Sequence, residues 1–130
     1  MHPISQLQGA LVAALKADAA LAGIVGDAVF VGAPSGRAPP YVVVARHDVR
    51  QRDADLAPGQ EHRLQLACWG DQPSRRRALD IAGRVVAVAL QLSAGGMTVT
   101  HREHLRTETA VDDASGKTRA TVTLRFFTEG

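Results

Sequence analysis

Residues 119–128 form an amphipathic segment in which polar and apolar side chains alternate from Arg119 to Phe126, and this pattern constrains the fold more than any other segment of the 130-residue chain. The apolar positions of the segment are Ala120, Val122, Leu124 and Phe126. The polar positions are Arg119, Thr121, Thr123 and Arg125. Because successive side chains of a β-strand point to opposite faces, the pattern predicts an antiparallel strand with one face buried and the other in solvent.

Four further segments carry strand signals. They are residues 28–31, 41–48, 61–69 and 97–106. Residues 41–48 favour a strand because they contain a run of three branched side chains. Residues 61–69 alternate, and the predicted inner face of this strand carries His62, Leu64, Leu66 and Cys68.

The first main helix is predicted from apolar residues at three- and four-residue spacing. Its stripe consists of Ile4, Leu7, Leu11, Leu15 and Ala19. Ser5 and Gln8 form a possible capping box, and Pro3 also allows an earlier start. A short second turn follows, which we expect Asp18 to cap and Gly26 to end.

The second main helix is predicted over about residues 73–92, beginning near Pro73 and Ser74. Its expected buried stripe is Leu79, Ala82, Val86 and Leu90, widened by Ile81, Val85 and Ala89. Two polar segments, residues 49–59 and 107–118, are longer than turns require, and the second has Ser115 and Gly116 as its expected turn. The order of elements predicts an α+β fold: a small, mainly antiparallel sheet, two main helices packed on one face, and extended hairpin and loop arms.

Composition limits the classes of protein to which this chain can belong. Apolar residues make up 45% of it but aromatic residues only 4%, so Ala, Val and Leu must fill the core. The net charge is only +2, and Cys68 is the single cysteine, which excludes a disulfide within the chain and fits a reducing compartment. No apolar run approaches the roughly 20 residues that span a bilayer. We expect a soluble single domain over residues 1–130, made in a cytoplasm, with no membrane partner.

No group of residues in the sequence predicts catalysis or metal binding. Cys68 shares its predicted strand face with two leucines, so we expect it to pack in the core rather than to act as a nucleophile with His47 or His62 as its base. His101 and His104 are three residues apart on a strand, which places them on opposite faces and prevents them from sharing one metal ion. The sequence therefore predicts no catalytic site, no cofactor and no metal.

Three consecutive arginines stand at the start of the second main helix: Arg75, Arg76 and Arg77. Positive charge there opposes the helix dipole, so the cluster indicates either a contact with an acidic partner or DNA, or a solvated face. A nucleic-acid-binding sheet stacks bases on exposed aromatic side chains. Only Tyr41, Trp69 and Phe127 are available here, at strand ends. A small nucleic-acid-binding module is therefore the alternative function.

Six segments follow one another in a characteristic order: residues 11–26, Val29-Phe30-Val31, Gly32-Ala33-Pro34, Pro40-Tyr41-Val42-Val43-Val44, residues 61–69 and Phe127-Thr128-Glu129. In this order, and over nearly the whole length, they resemble a family of small tail-completion proteins of siphophages, prophages and the gene transfer agents of alphaproteobacteria. The segment at residues 61–69 begins with Glu-His and ends in Trp, and none of the six segments carries chemistry of its own.

The resemblance implies a structural ring subunit rather than an enzyme, and the family has no catalytic residues to transfer. Its members are tail terminators: a ring, usually hexameric, caps the tail tube and joins it to the head-side connector. The implied partners are further copies of the chain, the tail tube protein and the head-side connector or stopper protein, with DNA only as passing cargo. The implied location is the tail–head junction of a phage-like particle assembled in a bacterial cytoplasm.

Ring closure repeats one contact between two different patches of each subunit, and exposed strand edges and extended arms can supply such patches. Charged side chains of the two predicted arms and of the neighbouring strand are the expected subunit interface: Arg46, Arg50, Arg52, Asp53, Asp55, Asp112 and Asp113. Pairs of such charges contribute little while they are exposed and more once an interface removes them from water.

Overall fold

The structure, a computed structural model, describes residues 2–52, 58–71, 75–112 and 114–129. These residues form three helices and one five-stranded sheet. In chain order the elements are α1 (Pro3–Ala17), α2 (Ala19–Val25), β1 (Val29–Val31), β2 (Tyr41–Gln51), β3 (Gly59–Trp69), α3 (Arg75–Ala89), β4 (Thr98–Val111) and β5 (Thr118–Glu129).

The two N-terminal helices begin at different kinds of cap. His2 caps α1, because its Nδ1 accepts a hydrogen bond from the Ile4 backbone N–H at 3.0 Å, so the predicted capping box at Ser5 is wrong. Pro3 occupies the first turn, where its missing N–H costs nothing. Asp18 caps α2 by accepting from the Leu21 N–H at 3.0 Å, as predicted, and Gly26 ends that helix with a positive φ of 65°.

No single helix in the described part of the chain is long and apolar enough to cross a membrane. Only α1 and α2 taken together reach the required length, and they meet at a bend of 81°.

The sheet has the strand order β1-β2-β3-β5-β4. Three of its four pairings are antiparallel, and the short strand β1 pairs in parallel with the first residues of β2. The sheet is therefore mixed, and the prediction of a mainly antiparallel sheet in an α+β fold holds for every pairing except that of β1.

Alternate residues of β3 and β5 are completely buried, as their sequence patterns predict. His62, Leu64, Leu66 and Cys68 on β3 have no exposed surface, and the same is true of Ala120, Val122, Leu124 and Phe126 on β5. Buried side chains of all three helices join these residues in one cluster. Val43 and Ala67, which are buried but point to the other face of the sheet, lie outside that cluster.

The buried stripe of α3 agrees with the predicted one at Ile81, Ala82, Val85 and Ala89 and differs from it at the two leucines. The buried side chains are Ala78, Ile81, Ala82, Val85 and Ala89. The predicted members Leu79 and Leu90 are instead 45% and 42% exposed. Because α3 packs directly against β3 and β5, its contact side carries three alanines that allow a close approach, whereas Leu79 lies on the outer side and Leu90 follows the end of the helix.

The two predicted arms are largely part of the sheet. Residues 49–51 belong to β2 and Gly59 to β3, while residues 53–57 lie outside the described residues. Residues 107–111 pair with β5 as the end of β4, and the Gly70 N–H donates to the Thr118 carbonyl, so this hairpin ends level with β3. An edge strand without a covered face needs few apolar side chains, and for this reason it resembles a loop in the sequence. The predicted turn is confirmed, with Gly116 at a φ of 71°.

Candidate interaction surface

The face of the sheet opposite the helices, here called the open face, is covered by polar and charged side chains. They come from four neighbouring strands: Arg46, Asp48 and Arg50 on β2, Glu61, Arg63 and Gln65 on β3, Thr121, Thr123 and Arg125 on β5, and Glu103, Arg106 and Glu108 on β4. Cross-strand neighbours carry opposite charges at several positions, which stabilises the face without apolar burial.

Glu61 is the most enclosed charge of the open face, since its side chain is only 8% exposed. The Arg63 Nε lies 3.0 Å from one of its carboxylate oxygens, and the Arg50 Nε lies 3.6 Å from the other. The hydrogen bond from Arg63 lowers the pKa of Glu61, assisted by the positive charge of Arg50. Glu61 is therefore ionised and held between two arginines at neutral pH.

A second carboxylate, Glu103, has a comparable environment on the edge strand β4. Arg125 on β5 donates to it at 2.7 Å, and the His101 Nε2 lies at 3.0 Å. Hydrogen bonds from His101 and Arg125 lower the pKa of Glu103. The ring of His101 also stacks on Phe127 with centroids 4.8 Å apart, while the guanidinium of Arg52 lies 4.0 Å from the Phe127 centroid. Phe127 is thus already covered by neighbours of its own chain.

A shallow groove of about 450 Å³ crosses the middle of the open face. Arg46, Arg63 and Arg106 line it together with Asp48, Gln65, Leu105 and Thr123. Each of the three arginines has a carboxylate partner within 3.1 Å. The groove is therefore polar and charge-balanced, which suits contact with a protein surface better than with a polyanion.

The aromatic side chains that could stack on nucleic acid bases gather at the opposite end of the sheet from Phe127. The rings of Phe30 and Tyr41 are 6.1 Å apart, and those of Tyr41 and Trp69 are 6.4 Å apart. The guanidinium of Arg119 lies 5.5 Å from the Trp69 centroid. These rings pack mainly on one another, so they do not form a row of free stacking surfaces.

The sequence-predicted interface residues fall into two separate places. Arg46 and Arg50 lie on β2, with Arg52 directly after that strand. Asp112 instead lies at the β4–β5 turn, where its carboxylate accepts from the Ser115 N–H at 3.2 Å and from the Ser115 hydroxyl at 2.6 Å. The strand register separates Arg50 from Asp112 by about 30 Å along the sheet.

Asp112 has a local structural role, because these hydrogen bonds from Ser115 lower its pKa and hold the turn. Asp53, Asp55 and Asp113 are outside the described residues.

The three arginines of the 75–77 cluster occupy the first turn of α3, away from the open face. Arg75 and Arg76 are exposed, and the Arg77 Nε lies 3.8 Å from an Asp71 carboxylate oxygen. The first turn of α3 contains no acidic residue. The cluster therefore lies at the surface, and its contact with an acidic partner or with DNA remains a prediction.

The sequence does not reveal a pair of histidines on the inner face of the sheet, of which His62 is buried and His47 is half-buried. The His47 Nε2 and the His62 Nδ1 are 2.8 Å apart, and the His62 Nε2 lies 3.2 Å from the Thr128 hydroxyl. Burial lowers the pKa of both histidines to about 4. The pair is therefore neutral at physiological pH and links β2, β3 and β5. Only the strand register, which the sequence does not contain, brings these residues together.

Cys68 is not a partner of these histidines. It lies six residues beyond His62 on β3, which corresponds to about 20 Å. Burial raises the pKa of its thiol to about 12. Cys68 is a core residue, as predicted.

His101 and His104 lie on opposite faces of the sheet, as predicted. His101 pairs with Phe127 on the open face, and His104 pairs with Leu124 on the inner face. Among the described residues, no three His, Cys, Asp or Glu side chains come together as a metal site requires.

Comparison with known proteins identifies the family. No curated protein sequence matches the chain significantly. A chain in the solved structure of the virion of a native gene transfer agent (GTA) particle has the same fold, with a TM-score of 0.85, 25% sequence identity and complete coverage of both chains. The family described as Tail completion protein gp17 matches residues 9–129. The chain therefore belongs to the tail completion protein gp17 family, a family of structural phage-tail proteins.

Proposed function

We propose that this protein is the subunit of a six-membered ring that caps the tail tube of a phage-like particle and joins it to the head-side connector. The observation that carries the proposal is the family match over residues 9–129, supported by the whole-length likeness to a chain of a gene transfer agent virion. The role needs no catalytic residue, cofactor or metal.

A cyclic ring is built from one heterologous contact repeated by rotation, so each subunit must carry two different surfaces that complement each other. The open face and the two lateral edges of the sheet supply charged, exposed candidates. We place Arg46, Arg50 and Arg52 in one such surface, with Asp53 and Asp55 beside them in the chain. Asp112, at the other end of the sheet, and Asp113, the next residue in the chain, belong in this proposal to a separate part of the contact.

The two remaining surfaces of the ring would contact different proteins. One would bind the tail tube protein and the other the head-side connector or stopper protein, while DNA would only pass through the channel. Assembly would take place in the bacterial cytoplasm, and the mature protein would lie at the tail–head junction. The ring would stop tube growth because one of its surfaces matches the end of the tube, while its opposite surface does not bind further tube subunits.

Deletion of the gene tests this role. We expect heads and tails that do not join, or tails that exceed their normal length, when particles are counted by electron microscopy. Complementation with the wild-type gene and with an Asp80→Asn variant, which changes an exposed residue of α3, should restore joined particles. Normal, fully joined particles from the deletion strain would refute the proposal.

The second candidate function is nucleic-acid binding through Arg75, Arg76 and Arg77. The observation in its favour is that the first turn of α3 is positively charged and contains no acidic residue. It predicts a steeply salt-dependent affinity for duplex DNA that falls when the three arginines are replaced by alanine. The ring role predicts weak retention that the triple substitution changes little. Fluorescence anisotropy over a salt series distinguishes the two.

A further inference from the structure

The sheet has two edges on which backbone groups are available to another strand. Along its outer side, β4 has no strand partner among the described residues over the whole of Thr98–Val111. On the other side, β1 pairs only with residues 42–44 of β2. No described strand therefore covers the outer side of residues 46–51, here called the free half of β2. Open edges of this kind pair readily with strands of other chains.

The directions of the strands fit a head-to-tail neighbour. Because β2, β3, β5 and β4 are successively antiparallel, β4 runs opposite to β2 within one sheet. When a second copy is placed beside the first by rotation, its β2 lies next to β4 of the first copy and runs antiparallel to it. This is the arrangement that a cyclic ring repeats at every contact.

The open-face charges on the two edges alternate in complementary order. In chain order β4 presents Glu103, Arg106 and Glu108, and the free half of β2 presents Arg46, Asp48 and Arg50. The bulge between His104 and Arg106 keeps the three β4 residues on one face, as their pairing with β5 already shows. Antiparallel alignment can therefore set three opposite-charge pairs in line: Glu103 with Arg50, Arg106 with Asp48, and Glu108 with Arg46.

The same charges specify the register. A shift of two residues along either strand keeps the faces matched, but it places two arginines or two carboxylates directly opposite each other. Like charges in that position are destabilising, whereas opposite charges stabilise a strand pair. Among the alignments that keep both open faces on the same side, only the one with Glu108 opposite Arg46 makes all three charge pairs favourable.

Exposed valines mark the ends of the same two edges. Val111 at the end of β4 is 44% exposed, and Val31 at the end of β1 is 57% exposed. Because β1 occupies the position beside residues 42–44, the residues of β4 after Glu108 would leave β2 and pass on the outer side of β1 of the neighbouring copy. Val31 there borders a shallow groove of about 390 Å³ that is also lined by Val12 and Ala13 of α1. Both valines lie on the inner face, but in this register Val111 is level with Val29 rather than with Val31, so the charge pairs and not a contact between the two valines define the alignment.

We propose that the subunits of the ring associate by antiparallel pairing of β4 of one copy with the free half of β2 of the next, with Glu108 opposite Arg46. The proposal rests on the ring function above and adds its interface and register. The paired run covers six residues of β2, about 20 Å, so main-chain hydrogen bonds give affinity and the charge order selects the partner edge.

Charge reversal tests the pairing of Arg46 with Glu108. In Glu108→Arg alone, arginine faces Arg46, and in Arg46→Glu alone, glutamate faces Glu108, so each variant should complement a deletion strain at least about tenfold less well than the wild type. When both variants are expressed together, every interface can form with opposite charges if the copies alternate around the ring. We therefore expect co-expression, and also the double variant, to restore joined particles.

The rescue is informative because each substitution also creates a like-charge pair within its own strand, with Asp48 or Arg106. A variant that failed through instability would keep that defect in the mixture. Thermal unfolding of the purified variants provides the direct control. The proposed register would be overturned if both single variants fold and assemble normally. It would also be overturned if both fold but fail to assemble, alone and when they are expressed together.

Disulfide trapping provides a readout that is independent of particle yield. In Arg46→Cys/Glu108→Cys particles, oxidation should link neighbouring copies and give a ladder of covalent oligomers on non-reducing gels. The two positions are three strand spacings apart within one chain, about 14 Å, which is too far for an internal bond. The control Arg46→Cys/Arg106→Cys tests the shifted register and should give at least about tenfold less product.

The result separates this inference from the ring function itself. Rings on tail ends that give no 46–108 link, or that link equally well in the control, contradict the proposed pairing while the ring function stands. If no ring of any kind is found at the tail ends, the ring function fails first, and the interface proposal fails with it.

Discussion

Phe126 and Phe127 are neighbours in the chain, but they lie in opposite environments. Phe126 has no exposed surface and packs in the core beneath the helices, whereas Phe127 lies on the open face between Arg52 and His101. The same contrast extends over the whole sheet. One face is held by apolar burial, and the other by ion pairs and by contacts between charged and aromatic side chains. Burial on the covered face stabilises the fold, and the open face remains available for contacts with other molecules.

The largest expected effect comes from the covered face. Phe126→Ala should lower the free energy of unfolding by about 3–5 kcal/mol, because it removes a large buried side chain and leaves a cavity. Urea unfolding followed by circular dichroism measures the loss. Phe127→Ala is the matched control and should cost about 1 kcal/mol, since it removes only surface contacts. Equal losses for the two variants would contradict the proposed division of the sheet.

The buried histidines predict a dependence of stability on pH. Both have a pKa of about 4 in the folded protein, against an ordinary value of 6.5 that applies to the unfolded chain. Between these values the unfolded chain binds more protons, so the free energy of unfolding decreases as the pH falls from about 6.5 to about 4. For His62 alone the loss between about pH 7 and pH 5 should be about 2 kcal/mol.

Urea midpoints measured at the two pH values test this dependence. His104→Asn, on the edge strand, should leave it unchanged, while His62→Leu should reduce it. A wild-type midpoint that does not move over this range would contradict the neutral, buried histidine pair.

A smaller effect should distinguish two carboxylates of the open face itself. Glu61→Gln should cost about 1 kcal/mol, because Glu61 is nearly enclosed and accepts a charge-assisted hydrogen bond from Arg63. Asp48→Asn should stay within about 0.5 kcal/mol, since its ion pair with Arg46 is exposed. Urea unfolding at high and low salt measures both, and the Asp48 difference should shrink further at high salt. A larger cost for Asp48→Asn than for Glu61→Gln would reverse the expected order.

The covered face could be predicted from the sequence, and the open face could not. The alternation in residues 119–128 and 61–69 identifies four fully buried residues on each of β3 and β5 and misses Thr118, because burial selects mainly apolar side chains at a fixed period. The end of β4 was interpreted as an arm because an edge strand lacks that period. On α3, helix periodicity predicts Ile81, Ala82, Val85 and Ala89 correctly, but it also predicts Leu79 and Leu90 as buried and misses Ala78.

The candidate surface depends on register, which the sequence leaves open. Their charge makes Arg46 and Arg50 interface candidates in the sequence. Their relation to Glu61 and to the charges of β4 requires knowing which residues lie opposite each other across three strand pairings. The resemblance to tail-completion proteins indicated the family, which the periodicity of the sequence could not do. The family match over residues 9–129 confirms that resemblance.

The most direct measurement of the central claim is electron microscopy of purified tail tubes, taken from a strain that lacks the gene and mixed with the purified protein. The ring role predicts that saturating protein places a single six-fold ring at the end of each tube and that these tubes then join heads. Tube ends that stay bare at saturating protein, or protein that coats the tubes along their length, would contradict it.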